Sequence, residues 1–337
     1  MTARNPKVSI SIVSYNSQEY LVSCLRHLIK QSYPAVEIIL VDNASRVDPA
    51  VLVRKHLPDI KFKYFRNNKN LGYAGGHNIG IAKATGEYIL CLNPDVFLAE
   101  DYIKNIVSLL EKNKQVGATQ GKIFKCRFDG QPEKTDTIDS LGTKILPNHQ
   151  YVELGGERAA AKYQTATEVF GVSGAAPIFR RAALEKIKKG QQYFDELFHS
   201  YKEDIDLSWR LRHAGWQCWL VPNAIAWHDR WETGSTESDR HEEVVQRRRQ
   251  KSSHINFYSY RNHFLVNLKN EFWLNLIIYA PYIAWYEIKK FFYLFLFERS
   301  TLRGLGAALK LLPLTLRQRH DILRGSKIKP SDVRRWF

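Results

Sequence analysis

Polar residues able to hold a phosphate, a cation or a proton recur along this chain, each placed just after an apolar run. Asp42 and Asn43 follow the run from Ile38 to Val41, and Asn93, Pro94 and Asp95 follow Glu87 to Leu92. Between them Asn70-Leu71-Gly72-Tyr73-Ala74-Gly75-Gly76-His77-Asn78 leads into a helical pattern. Glycines at 72, 75 and 76 permit backbone conformations closed to other residues and would let a ligand approach the main chain, while the N-terminus of the helix favours a phosphate. A Gly-rich turn with no further role explains the same loop when it is taken alone. A second set is Phe194-Asp195-Glu196 and then Tyr201-Lys202-Glu203-Asp204-Ile205-Asp206, running into a helical pattern with Arg210 and Arg212. Acids in a first turn complement the helix dipole, so capping competes with catalysis as the explanation of each. His228, in Ala226-Trp227-His228-Asp229, can be a metal ligand by type, or a residue packed beside Trp227 and Trp231.

The elements that would position these residues read as an open α/β sheet. Val8 to Val13 is almost entirely β-branched or small, and Asn16 and Ser17 mark a handover to a helix whose Tyr20, Leu21, Cys24, Leu25 and Leu28 recur at helical spacing. Glu19, three residues after Asn16, is a candidate capping partner. Further strands are expected at 38–41, 61–65 and 87–92, buried on both faces, and ligands of such sheets bind beyond the carboxyl ends of the strands. From 127 to 167 the pattern weakens into polar, Gly-containing sequence, which reads as an insertion or irregular hairpin. Order resumes at Phe170-Gly171-Val172-Ser173-Gly174-Ala175-Ala176, which suits either a pocket lining or tight strand-to-helix packing. A helix is expected over 204–214, stopped by Gly215, and then a strand over 216–221.

The formal net charge of +16 points to an anionic partner without choosing among nucleic acid, acidic lipid and phosphate-rich substrates. An apolar fraction of 44% is ample for a core and argues against disorder. Cys24, Cys91, Cys126 and Cys218 show no paired spacing, so neither a disulfide framework nor a zinc site is indicated. The opening MTARNPKVSISIVSYN has no secretory pattern, and a cytoplasmic location is expected. Past about Gly234 the character changes. Arg247, Arg248, Arg249 and Lys251 cluster, and 272–286 is apolar and aromatic but shorter than the roughly 20 residues that cross a bilayer. Glu287, Lys289 and Lys290 interrupt it before a second apolar run at 291–297, so helices lying in a membrane interface are expected, with completion of the core or a dimer contact as the alternative.

Ser14-Tyr15-Asn16, Val41-Asp42-Asn43-Ala44-Ser45, the loop from Asn70 to Asn78 and Asn93-Pro94-Asp95, in this order, resemble family 2 of the inverting glycosyltransferases, above all its bacterial rhamnosyltransferase-like members. The likeness extends from about Val8 to His228. It implies a GT-A fold, an α/β architecture with a mostly parallel Rossmann-like sheet, with a nucleotide-sugar half at about 1–125, an acceptor half at about 126–235 and a helical tail at 236–337. By that resemblance Ser14, Asn16, Asp42, Asn70, Gly72, Gly75, Asn78, Asn93 and Asp95 bind the donor, with Asp42 on its base. Asp95 and His228 hold Mg2+ or Mn2+ on the pyrophosphate, although Asn93 replaces the first acid of the usual Asp-x-Asp. Glu203-Asp204 aligns with the pair whose Asp is the catalytic base, and Gly174, Ala175, Asp206 and Arg210 fall at the acceptor or sugar pocket. One displacement, without a covalent intermediate, inverts the anomeric centre. The donor implied is dTDP-L-rhamnose, with UDP-sugars as rivals, and the acceptor a saccharide or polyprenyl-linked glycan at the inner face of an anionic cell membrane. A basic nucleic-acid-binding protein would leave the acids at successive strand ends unexplained. A sugar nucleotidyltransferase would want a Gly-rich, Arg-containing loop directly after the first strand, which this chain lacks.

Overall fold

A computed structural model describes residues 5–155, 161–230 and 252–337. The basic cluster Arg247, Arg248, Arg249 and Lys251, Trp231 and the expected boundary at 235/236 lie outside the described residues. In chain order the first half runs β1 (Val8–Ser14), α1 (Gln18–Ile29), β2 (Val36–Asp42), α2 (Pro49–His56), β3 (Lys63–Arg66), α3 (Gly72–Lys83), β4 (Tyr88–Leu92), β5 (Val96–Leu98) and α4 (Tyr102–Lys112). The second runs β6 (Val116–Asp129), β7 (Gln131–Ser140), β8 (Thr143–Ile145), β9 (Tyr151–Glu153), β10 (Thr167–Val169), β11 (Ile178–Arg180), α5 (Arg181–Ile187), α6 (Glu203–His213) and β12 (Gln217–His228).

One sheet, ordered β10-β12-β6-β11-β4-β1-β2-β3, carries the molecule, with β5 added on β12 and β7 on β6. β4, β1, β2 and β3 pair in parallel. β11 is antiparallel to both β4 and β6, and β12 is parallel to β6, so β6 and β12 run in the direction of β4. The consequence for function is direct: Ser14, Asp42, Asn93 to Asp95 and His228 all come off the same edge of the sheet. Alternation along the strands splits the core into two layers. Val8, Ile10 and Ile12 of β1 pack with Leu21 and Leu25 of α1, Val53 of α2 and Ile106 of α4. Ile39, Val41, Ile89 and Cys91 pack on the other face with Ala74 and Ile81 of α3, Leu184 of α5 and Leu207 and Leu211 of α6. All four cysteines are buried and unpaired.

The described part of the weakly patterned stretch at 127–167 is more ordered than expected. It forms a long antiparallel ribbon of β6 with β7 and a two-stranded sheet of β8 with β9. Strand β12 also continues past Val221 and Pro222 to His228, with a register break between Val221 and Ile225 that accommodates the proline. Glu19 is not a partner for Asn16: α1 starts at Ser17 without a side-chain cap, and the Asn16 Oδ1 accepts from Arg46 N at 2.9 Å instead.

The tail forms α7 (Ser253–Asn270), α8 (Trp273–Ile278), α9 (Ala280–Phe297), α10 (Arg299–Lys310), α11 (Leu312–Arg324) and α12 (Pro330–Arg334). Its first helix packs onto the body. Leu265 and Val266 of α7 share an apolar cluster with Phe170, Phe198, Ile205 and Trp209. Beside that cluster the buried Lys269 Nζ donates to Asp195 Oδ2 at 2.6 Å and lies 2.8 Å from Asp206 Oδ1, and Asn270 Nδ2 donates to the same Asp206 oxygen at 2.9 Å. Arg210 Nε donates to Asp206 Oδ2 at 2.8 Å, and its terminal nitrogens donate to the Ile187 and Tyr193 carbonyls. This corrects the expectation that Asp206 and Arg210 line a sugar pocket. Both are sealed in an interior ion cluster, because Asp206, two residues and so roughly 200° around α6 from Asp204, faces the tail helix and not the cavity, and Arg210 one turn further on follows it.

Burial opposes the Asp206 charge, but Lys269 and then Arg210 outweigh it and hold the carboxyl at about 2. An unfolded Asp titrates near ~3.9, so the folded pKa is depressed and the cluster's contribution is complete above roughly pH 4 and lost as pH falls towards 2. Lys269→Met leaves Asp195 and Asp206 without their shared cation and should destabilise the fold by about 3–5 kcal/mol. Denaturant unfolding at neutral pH measures this, and an unchanged midpoint would show that the cluster does not hold the tail to the body.

Candidate active site

Beyond the carboxyl edge of the sheet lies a cavity of about 580 Å3 lined, among others, by Asn93, Asp95, Gly174, Glu203, Asp204 and His228. Asp95 follows β4 and His228 ends β12. Antiparallel pairing of β5 with β12, with Val96 opposite His228, sets the two side by side. The Asp95 Oδ1 is buried without a hydrogen-bond partner and lies 3.5 Å from His228 Nε2. On its far side the His228 ring meets Asp139, with Nδ1 to Oδ2 at 3.0 Å. Burial opposes protonation of His228, but Asp95 and Asp139 outweigh it and raise the imidazole to about 9.

An unpaired carboxylate oxygen facing a histidine nitrogen, whose other nitrogen is bonded to a second carboxylate, fits a divalent cation in place of that proton. Among the described residues no three His, Cys, Asp or Glu side chains converge into a complete cage. Mg2+ is held through one or two protein carboxylates and fills the rest of its shell from phosphate oxygens and water. Asp139 went unnoticed in the sequence because it lies on β7, inside the stretch that looked irregular.

The same cavity is lined by Glu203 and Asp204, at the start of α6. Asp204 Oδ2 accepts from Gly174 N at 3.0 Å and Oδ1 from Ile205 N at 2.8 Å, which fixes the carboxylate while leaving lone pairs towards the cavity. Gly174 is held from its other end by Tyr73, whose hydroxyl donates to the Gly174 carbonyl at 2.8 Å. Burial, followed by the neighbouring Asp204 charge, pushes Glu203 well above the usual carboxylate range, and its Oε2 has no partner. Two adjacent carboxyls cannot both ionise cheaply in a buried site, which favours the neutral form of Glu203.

The segment leading into this pair is strained. His199, Tyr201 and Lys202 all have left-handed backbones, with φ of 59°, 71° and 72°. The tail holds it in place: Asn262 Nδ2 on α7 lies within donor distance of the carbonyls of Phe198, Ser200 and Tyr201, at 2.8, 3.0 and 2.7 Å. Neither Asn262 nor Tyr73 carried a signal in the sequence, because an Asn inside an aromatic helix and a Tyr inside a Gly-rich loop look structural.

The expected donor set divides. Asn93 and Asp95 line the cavity, as do Gly174 and Ala175 of the small-residue stretch. Ser14, Asn16 and Asp42 sit at adjacent strand ends and are stitched to one another. Ser14 Oγ meets Ser17 Oγ at 2.9 Å, Asn16 N donates to Ser45 Oγ at 3.0 Å, and Asp42 accepts from Ser45 N at 3.0 Å and pairs with Arg66 at 3.5 Å. The Gly-rich loop is a correction. Asn70 Oδ1 accepts from Gly72 N at 2.8 Å and closes the turn. Gly72 has φ of 70°, and a methyl there would fall 2.4 Å from the His199 carbonyl oxygen; a methyl at Gly75 would fall 2.7 Å from Leu71 Cβ. Asn78 is bonded within the protein, donating to Phe194 O and Glu196 and accepting from Tyr193 N and Phe194 N. Gly72 and Asn78 thus dock α3 against the segment that leads to Glu203, while Gly75 makes room for Leu71 at the start of α3 itself.

The family model described as Glycosyl transferase family 2 matches residues 9–188, more than half of the chain. The chain belongs to glycosyl transferase family 2. The matched span of this family 2 chain holds Asp42, the Gly-rich loop, Asn93 and Asp95, and ends before Glu203. It is 24% identical over 220 residues to the poly-beta-1,6-N-acetyl-D-glucosamine synthase of Staphylococcus epidermidis, covering 65% of this chain and 49% of that protein. A glycosyltransferase of Haemophilus influenzae is 32% identical over 152 residues, covering 43% of this chain and 59% of that one. The chain thus spans about half the length of the curated relatives it matches. In fold it is similar to GalNAc-T7 crystallised with UDP, GalNAc and Mn2+ (TM-score 0.58, 17% identity, 78% of this chain and 48% of that one). It is also similar to Staphylococcus aureus TarS with UDP-GlcNAc (TM-score 0.54, 15% identity, 98% and 92%). The fold is the GT-A fold, with a mixed sheet that is parallel through β4, β1, β2 and β3 and with helices added at the C-terminus.

If Asn262 holds the strained segment, Asn262→Leu should speed backbone hydrogen exchange across 198–204 while leaving that of β1 and β4 unchanged, and should cost about 1–3 kcal/mol for the carbonyls left unpaired. Unaltered exchange in that segment would remove α7 from the site.

Proposed function

We propose that this chain is an inverting glycosyltransferase that takes a sugar from a nucleotide-sugar donor, with Asp204 as base and a divalent cation held by Asp95 and His228. The observation that carries the reading is that two carboxylates in unlike surroundings line one cavity. The Asp95 Oδ1 is buried, without a hydrogen-bond partner and 3.5 Å from the His228 Nε2, whereas Asp204 is pinned by two backbone N–H groups. A cation bound at Asp95 would offset the charge that develops on the two phosphates of a departing nucleotide. Asp204 takes the proton of the acceptor hydroxyl as its oxygen forms the new bond to the anomeric carbon. The bond from that carbon to the diphosphate breaks on the opposite face, so the configuration inverts in one step. Glu203, which burial and Asp204 push towards its neutral form, adds little negative charge beside the attacking oxygen, and Asp139 holds the His228 ring in place through Nδ1.

Ser14, Asn16 and Asp42, at the ends of β1 and β2, are assigned to the nucleoside, with Asn93 nearer the diphosphate. For the donor, dTDP-L-rhamnose is supported by the resemblance of Asn93-Pro94-Asp95 to the rhamnosyltransferase-like group. A UDP-sugar is the second reading, favoured by a matched relative named for N-acetyl-D-glucosamine polymer synthesis. The acceptor assigned is a saccharide or polyprenyl-linked glycan for a cell-surface polysaccharide. The body is assigned to residues up to about 235 and the tail, resting on the inner face of an anionic membrane, to the remainder. Among the described residues no helix is long and apolar enough to cross a membrane.

Asp204→Asn removes the proton acceptor and leaves the Asp95 side untouched. Nucleoside diphosphate release in the presence of acceptor should fall by about 100-fold or more, the scale of a lost general base, while Mn2+-dependent nucleotide binding stays within twofold. Turnover retained in this variant would take the role of base from Asp204. Asp95→Ala should do the reverse and abolish the Mn2+ dependence of nucleotide binding; calorimetric titration with an unchanged Mn2+ requirement would contradict the assignment.

A further inference from the structure

The segment that enters α6 keeps three side chains at positions where glycine would sit without strain. His199, Tyr201 and Lys202 have φ of 59°, 71° and 72°, a region costly for a residue with a Cβ and an outlier for a bulky one. Two of these side chains are used by the protein itself. The His199 ring stacks on Tyr258 of α7 at 5.1 Å, and the Lys202 ammonium lies over the Tyr151 ring at 5.5 Å and donates to the Tyr151 carbonyl at 3.5 Å. Tyr201 is different. It lines the cavity and is 41% exposed, and among the described residues its ring has no stacking or cation partner and its hydroxyl no hydrogen bond.

Two other tyrosines that line the cavity show what a structural role looks like. Tyr73 donates to the Gly174 carbonyl at 2.8 Å, and Tyr151 donates to Asn267 Oδ1 at 2.6 Å. Tyr201 presents a bare ring on a backbone that is fixed, its carbonyl 2.7 Å from Asn262 Nδ2. A ring held in this way gives up little freedom when a ligand settles on it. Its place in the chain narrows the ligand, because three residues on stands Asp204, the candidate acceptor of a hydroxyl proton. A pyranose carries hydroxyls round its rim and C–H groups on its faces. Those C–H groups are slightly positive, and the negative face of an aromatic ring attracts them while removing apolar surface from water.

We infer that the Tyr201 ring is the platform on which a pyranose unit of the acceptor stacks, presenting the attacking hydroxyl to Asp204. The left-handed backbone is then kept because glycine, which would relieve it, has no ring to offer. Asn262 acquires a second consequence, since the carbonyl it holds belongs to the residue that receives the acceptor. The inference rests on the transferase reading of the cavity and adds to it the residue that positions the acceptor.

Saturation-transfer NMR of the full chain tests it, using the methyl pyranosides of D-glucose, D-galactose, D-mannose, L-rhamnose and N-acetyl-D-glucosamine as probes. At least one should take up saturation. Tyr201→Phe should keep the affinity for that pyranoside within about twofold, whereas Tyr201→Gly should weaken it about tenfold, the scale of one aromatic face. Glycine suits the left-handed backbone, so the thermal midpoint of Tyr201→Gly should not fall below that of the unaltered chain. Binding lost in Tyr201→Phe would make the hydroxyl the contact, and a lowered midpoint in Tyr201→Gly would make the ring structural. A pyranoside bound equally well by Tyr201→Gly, or none bound by the unaltered chain, would mean there is no platform. Each of these results overturns the inference. The thermal shifts produced with Mn2+ by UDP, dTDP, UDP-GlcNAc and dTDP-L-rhamnose are the control. If Tyr201→Gly abolishes one of them, the ring serves the donor and the inference fails. If the unaltered chain shows no such shift yet binds a pyranoside through Tyr201, it is the transferase reading that fails.

Discussion

A single buried ammonium group ties the parts of this molecule together. Lys269 reaches from the tail into the body and lies between Asp195 and Asp206, two acids on separate segments that approach the cavity. Removing such a cation leaves two desolvated carboxylates without compensation, a far larger effect than the loss of one surface ion pair. The cluster therefore fixes where α7 sits on α6. Once α7 is fixed, Asn262 falls against the carbonyls at 198, 200 and 201, and the left-handed turn that delivers Glu203 and Asp204 is held. The geometry of the candidate base thus depends on a residue of the tail.

The two sides of the cavity are built by different means. The Asp95 side is a property of the sheet: β4 and β12 end at one edge, and the short β5 returns along β12 to set Asp95 beside His228. The Asp204 side is a property of packing, in which α3 docks through close-packed glycines, Tyr73 reaches Gly174, and Gly174 reaches Asp204. A change in α3 or α7 can therefore move Asp204 while leaving Asp95 in place. Such independence suits a site that must hold a donor and admit an acceptor in turn.

Much of this was legible in the residues, for reasons that can be named. Strand ends are marked by the abrupt change from buried β-branched runs to Asp42, Asn93 and Asp95, and a parallel sheet brings such ends to one edge whatever the loops do. Asp206 and Arg210 misled because helical phase, not proximity in sequence, decides which acid faces the cavity, and the phase could be fixed only once α7 was in place. Gly72 misled because room for a ligand and room for a neighbouring segment, here His199, look alike in one dimension. Asp139, Tyr73 and Asn262 were silent because each acts through a partner far away in sequence. The tail's aromatic character was plain, but its division into a helix that completes the core and a helix that stays bare depends on tertiary contacts.

The account stands or falls on a nucleotide diphosphate and a divalent cation meeting at Asp95 and His228. Thermal unfolding of the purified chain with UDP, dTDP and GDP, each with and without Mn2+, tests this most directly, since a ligand that binds only the folded state raises its apparent stability. The account predicts stabilisation by UDP or dTDP that requires Mn2+. A folded sample that none of these stabilises, or one that a nucleotide stabilises equally without the metal, would contradict it.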